Sequence, residues 1–104
     1  MIMIAIVKSV PGDGGPVDVY VDGDLLDPKH SQELRNHSPD GFNVGYGGSG
    51  PAQCALGILL HVVKDKRVAM RHYQDFKWQF TSKWQANNIY YVDIESWINS
   101  QEKV

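Results

Sequence analysis

The chain has 104 residues, 42% hydrophobic and 21% charged, with a net charge of −2. This length suits one domain, 1–104, with a core of its own. The single cysteine, Cys54, excludes an internal disulfide framework, and the charge excludes a strongly basic polyanion binder. The apolar start, "MIMIAIV", is shorter than a membrane span or a leader core and has no basic flank, so the expectation is a cytoplasmic protein without membrane association. The charge is uneven. Residues 1–50 carry three basic and seven acidic side chains, and residues 51–104 carry seven basic and five acidic.

In chain order, residues 1–22 read as a β-hairpin. Val17, Val19 and Val21 alternate with Asp18, Tyr20 and Asp22, the pattern of a half-buried strand. Its partner spans about 2–10, and "PGDGGP" supplies the loop between them. Residues 23–44 are rich in turn signals and read as irregular, with "SQELR" able to start a short helix capped by Ser31. Residues 51–63 form a helix apolar almost all round, hence buried, with Pro51 at its first position and Cys54 in its first turn. After the "KDKR" turn, 67–84 reads as an amphipathic helix whose stripe is Ala69, Tyr73, Phe76, Phe80 and Trp84. Residues 89–100 give a short strand and then a helix capped by Asp93. The fold class is α+β: an N-terminal hairpin packed on a buried helix and a second amphipathic helix, with a short C-terminal strand and helix.

"GYGGSGPAQ" contains G-x-G-x-x-G at Gly45, Gly47 and Gly50. Backbone N–H groups at a helix start attract anions. Gly45, Gly47, Gly48, Ser49, Gly50, Ala52 and Gln53 are therefore the candidate residues for a nucleotide, anion or small ligand. Against this, a dinucleotide fold needs a strand after the helix that ends in an acid. Asp65 has nearly the right offset but falls in "KDKR", between two helices, and no Lys-Ser/Thr pair follows Gly50. The favoured reading is that the glycines turn the chain into a buried helix.

Other chemistry is sparse. Cys54 has no base placed by spacing, and Cys54, His61 and His72 lack zinc-type spacing, so no catalytic residue, metal or cofactor is assigned. The residues opposite the apolar stripe are more informative. Lys64, Arg67 and Arg71 share that side with Trp78, which suggests a partner-binding surface with Trp78 as anchor. A protein partner is favoured. Nucleic acid, with arginines on phosphate and Trp78 stacked on a base, is the alternative, and Asp65 and Asp75 count against it.

"SPDGFNVGYGGSGPAQCALGILL" followed by "YQDFK" resembles a small uncharacterised family found in bacteria, archaea and phages. The resemblance runs from about Val19 to Trp97. It marks Ser38, Pro39, Gly41 and Phe42, the run Gly45–Gln53, and Tyr73, Gln74, Phe76 and Lys77. The chain departs from the pattern at Val44, where an aromatic is expected, and at Cys54, where Leu is expected. No activity is implied. Phage membership implies a mobile-element role in a bacterial host cell, such as an inhibitor or adaptor acting on a host macromolecule, by a non-enzymatic protein. Ser49, Gln53 and Gln74 stand out as marked polar residues that are hydrogen-bonded if buried. They either pin the loop between the two helices or face a small ligand site.

Overall fold

The computed structural model describes residues 1–8 and 15–102. Alternation sets the sheet. β1 (Ile2–Lys8) and β2 (Val17–Val21) pair antiparallel, with Ile4 opposite Val21 and Lys8 opposite Val17. Ile4, Ile6, Val17, Val19 and Val21 are buried on one face. This is the expected hairpin. Strand residues 9 and 10 and most of the "PGDGGP" loop lie outside the described residues.

Two further strands complete the sheet in the order β3-β2-β1-β4. β3 (Asp24–Leu25) follows a turn in which Asp22 and Gly23 take φ of 48° and 87°. Two successive left-handed residues are what a tight Asp-Gly hairpin needs. β4 (Asn88–Val92) lies antiparallel on the other side of β1, with Ile2 opposite Val92. The segment expected to be a short C-terminal strand is thus an edge of the same sheet.

The helices start and stop where local chemistry or docking requires. α1 (Pro28–Leu34) is capped by Asp27, not Ser31: Asp27 Oδ1 accepts from Lys29 N at 3.0 Å, and Pro28 occupies the first turn. Ser31 lies buried inside α1 and donates to Pro28 O at 2.9 Å. α2 (Ser49–Val63) starts two residues before Pro51 and is buried from Gly50 to Leu59. Proline is tolerated in this first turn because the first N–H groups have no helical acceptor. Cys54 therefore falls in the second turn, not the first.

α3 (Lys66–Gln79) begins at Asp65, whose Oδ1 accepts from Arg67 N and Val68 N. It ends at Gln79 instead of continuing to Trp84. Thr81 is the cause: its Oγ1 donates to Pro51 O and its C=O accepts from Gly45 N, both at 2.9 Å. The chain leaves the helix to dock on the start of α2. A 3₁₀ turn (Thr81–Lys83) then delivers Trp84, which stacks on Tyr90 at 4.7 Å. α4 (Ile94–Glu102) closes the chain, and the fold is α+β. The core joins Ile4, Ile6 and Val19 of the sheet to Leu56, Ile58 and Leu59 of α2, Phe76 of α3 and Ile94 of α4.

A close approach at Gly57 helps seat the 28–42 segment on α2. A Cβ at Gly57 would lie 2.7 Å from Cζ of Phe42, a fully buried ring. Gly57→Ala is therefore expected to lose about 1–2 kcal/mol, the overpacking outweighing the gain in helix propensity. Urea unfolding of Gly57→Ala, Phe42→Leu and the double variant checks this. The double variant should be more stable than additivity predicts.

Candidate binding surface

The glycine loop is shaped by two aromatic rings. Gly45 has φ of 90°, and a Cβ there would lie 3.0 Å from Trp84 O, so glycine alone fits the turn. At Gly47 the need is space. A Cβ would come within 2.7 Å of Trp78 Cη2, so the indole rests on bare backbone. The Tyr46 ring lies over Gly48 and its hydroxyl reaches toward Gly50. Trp78 is 58% exposed and Tyr46 48% exposed. The loop and Trp78, separate candidates in the sequence, form one surface.

Lys77 ties them together. The side chain is buried, and Nζ donates to Gly47 O at 3.2 Å and sits 4.2 Å from the centroid of the Trp78 ring. The indole is thus held by the glycine backbone and by a cation–π contact. Tyr46 and Lys77 belong to this surface although spacing did not select them. The resemblance marks both positions, and that was the available signal.

The other predicted residues are dispersed. Ala52 N donates to Gly48 O at 3.2 Å, so this amide serves the helix. Ser49 and Gln74 are exposed, and of the three marked polar residues only Gln53 is buried. Lys64 ends α2 in the left-handed conformation with φ of 60°. Arg67 lies in the first turn of α3, about 16 Å along the helix from Trp78. Arg71 Nη1 donates to both carboxylate oxygens of Glu102 at 3.0 Å. Contact with His72, together with the Arg71 charge, lowers the Glu102 pKa. The basic residues and Trp78 do not converge.

Gln53 is a structural pin for a different segment from the one expected. Its Oε1 accepts from His37 N at 2.7 Å and Ser38 N at 3.0 Å. Its Nε2 donates to Ser31 Oγ at 2.9 Å and Arg35 O at 3.0 Å. All four hydrogen-bonding positions of the amide are used inside the protein. It anchors the chain around α1 to α2 and keeps no polar atom for a ligand. His37 Nε2 meets Tyr73 OH at 2.7 Å. Burial first, then the charges of Arg35 and Lys77, lowers the His37 pKa. Cys54 is fully buried, and burial pushes its thiol pKa up.

A cleft of about 620 Å³ lies apart from this surface, between α1 and the end of α2. Leu26, Leu34 and Leu60 line it, with Lys64 and Lys66 but also Asp27 and Glu33 around them. Both signs of charge meet there, so its rim selects neither anion nor cation. No group of three or more His, Cys, Asp or Glu side chains is placed to hold a metal among the described residues. No helix among them is long and apolar enough to cross a membrane.

The fold and surface define a small α+β domain that presents two aromatic rings on a glycine turn. Residues 12–100 match the model of a family of unknown function (DUF6166), and the chain belongs to that family. No curated protein and no solved structure matches it. The resemblance read from "GYGGSGPAQ" and "YQDFK" to an uncharacterised family is borne out.

Two outcomes test this architecture. Gln53→Leu takes the partner from the N–H groups of His37 and Ser38 and from the Arg35 carbonyl, while Ser31 keeps its bond to Pro28 O, so it should cost about 3 kcal/mol in urea unfolding. The His37 effect is a pH dependence. The unfolded imidazole, at its ordinary value of 6.5, takes up a proton before the folded one does. Stability should therefore fall as pH drops through 6.5, and the loss should level off below the folded pKa. Urea midpoints of wild type and His37→Asn across that range check this. The variant should show the smaller change.

Proposed function

We propose that this chain is a non-enzymatic protein-binding module whose contact surface is the ridge of Tyr46, Gly47 and Trp78. One observation carries this reading: the half-exposed Trp78 and Tyr46 rings stand against the bare backbone of Gly47 and Gly48. Tryptophan and tyrosine dominate the energetics of protein interfaces because they bury much area for few rotors. Here the Trp78 ring is already held by Gly47 and Lys77, so little rotamer entropy remains to be lost on binding.

The dispersed bases favour a protein over nucleic acid. A stacked base needs phosphate contacts beside it. Arg71 is committed to Glu102, and Arg67 sits at the far end of α3. A small-ligand role for the loop has weaker support, since Ala52 and Gln53 are engaged internally. A host macromolecule as partner, in a mobile-element setting, rests on the family resemblance alone.

Quantitative affinity capture from a bacterial lysate, with Trp78→Ala and the Arg67→Ala, Arg71→Ala pair as parallel baits, tests the reading. A partner held by wild type and by the arginine variant should be lost about 30-fold on Trp78→Ala, the effect of a central aromatic anchor. Trp78→Ala should leave stability within about 1 kcal/mol, as for most surface positions. Retention on Trp78→Ala, or saturable shifts of the 45–50 amides with ATP in an NMR titration, would sink the proposal.

A further inference from the structure

Among the described residues, β4 ends the sheet, and only β1 pairs with it. Natural edges are usually blunted by brevity, charge or proline. The opposite edge, β3, is two residues long, whereas β4 reads Asn-Ile-Tyr-Tyr-Val and carries neither charge nor proline. Its free hydrogen-bonding groups can be identified from the ladder. Met3 N donates to Asp22 Oδ1 and Met3 O accepts from Asp22 N, so the odd residues of β1 turn toward β2. Ile6 O accepts from Asn87 N and Lys8 N donates to Asn87 Oδ1, so the even residues turn toward β4. Ile2, Ile4 and Ile6 stand opposite Val92, Tyr90 and Asn88. Those three residues bond inward, and the N–H and C=O groups of Ile89 and Tyr91 face out.

From this we infer that the chain forms a dimer with a second copy of itself, β4 against β4, antiparallel, about a two-fold axis at Tyr90. Ile89 of each copy then faces Tyr91 of the other. In this register every outward donor meets an outward acceptor, in four hydrogen bonds. Neighbouring registers of the same parity fail. An axis at Ile89 draws on Asn87, whose N–H is already given to Ile6 O. An axis at Tyr91 draws on Asp93, whose C=O already accepts from Trp97 N.

The side chains fit the same pairing. Ile89 is 55% exposed and Tyr91 64% exposed, and across the axis they make a β-branched–aromatic pair. Charge is compatible as well. Asp93 of one copy lies opposite Asn87 of the other, so no like charges meet. Leu25, Tyr20, Ala5 and Ile89 already form a row across four strands, which the second copy's Tyr91 would extend. A five-residue edge buries less than the roughly 800 Å² per partner of a standard interface, so the dimer is weak and reversible.

Sedimentation equilibrium between about 10 μM and about 1 mM should show the mass rising toward a dimer, the range in which weak complexes form. Over the same range, amide exchange should slow about tenfold at Ile89 and Tyr91, while Asn88, Tyr90 and Val92 stay protected throughout. Ile89→Lys, an edge charge, and Tyr91→Pro, which removes only an outward N–H, should each weaken dimerisation at least about tenfold. Should circular dichroism show Tyr91→Pro misfolded, Ile89→Lys decides. Leu25→Lys, at the far edge, should change nothing. A monomer at the highest concentration overturns the inference, as does a dimer that survives Ile89→Lys. So does a dimer abolished by Leu25→Lys, which would mean stacking through the sheet face.

Discussion

One buried side-chain amide holds the 31–38 stretch against α2. Gln53 gives or takes a hydrogen bond at Ser31, Arg35, His37 and Ser38, four points on a stretch whose only regular structure is the short α1. A buried amide left unpaired is costly, so the segment is held to the geometry that satisfies all four positions. From there the chain is directed to Phe42, whose C=O accepts from Val17 N at 2.9 Å and whose ring seats against Gly57. Asn43 follows, and its N–H bonds Gly50 O across the mouth of the glycine turn. The glycine turn thus follows in the chain directly on the segment that Gln53 and Phe42 hold.

The glycine backbone beside the two rings is itself tied down. Gly45 is tied to Thr81, Gly47 to Lys77, and Gly48 to Ala52. The Lys77 ammonium, buried next to a carbonyl and an indole face, is partly compensated by both. The same charge, after burial and Arg35, contributes to lowering the His37 pKa. Loop, α3 and the α1 segment thus share one electrostatic environment.

How much of this could be read from the sequence follows from what is local. Val17, Val19 and Val21 announce their strand by alternation, and the all-apolar run to Val63 announces a buried helix. Two local signals lie at the start of the stretch rich in turn residues: Asp22-Gly23, which makes the β3 turn, and Asp27-Pro28, which caps and starts α1. Other features have no local signal. The apolar period continues through Phe80 and Trp84, and only docking of Thr81 on Pro51 and Gly45 ends α3 early. The approach of Trp78 to Gly47 spans 31 positions and depends on two helices meeting correctly. Likewise, the shared polar side of α3 suggested that Arg71 and Trp78 act together, but Arg71 turns to Glu102 on α4.

The order of the strands has a consequence for how the chain is made. β1 precedes the other described strands in the chain and lies inside the sheet, and its second neighbour is β4, with Ile2 opposite Val92, 90 positions later. At cellular translation speeds those partners emerge on the order of ten seconds apart. Through that interval the hairpin exists with one flank of β1 open, and its apolar residues Ile4 and Ile6 are sheltered only as far as α2 has formed. Closing the sheet is a late, long-range step that pays a large loop entropy, so folding of this small domain is governed by its contact order more than by its helices.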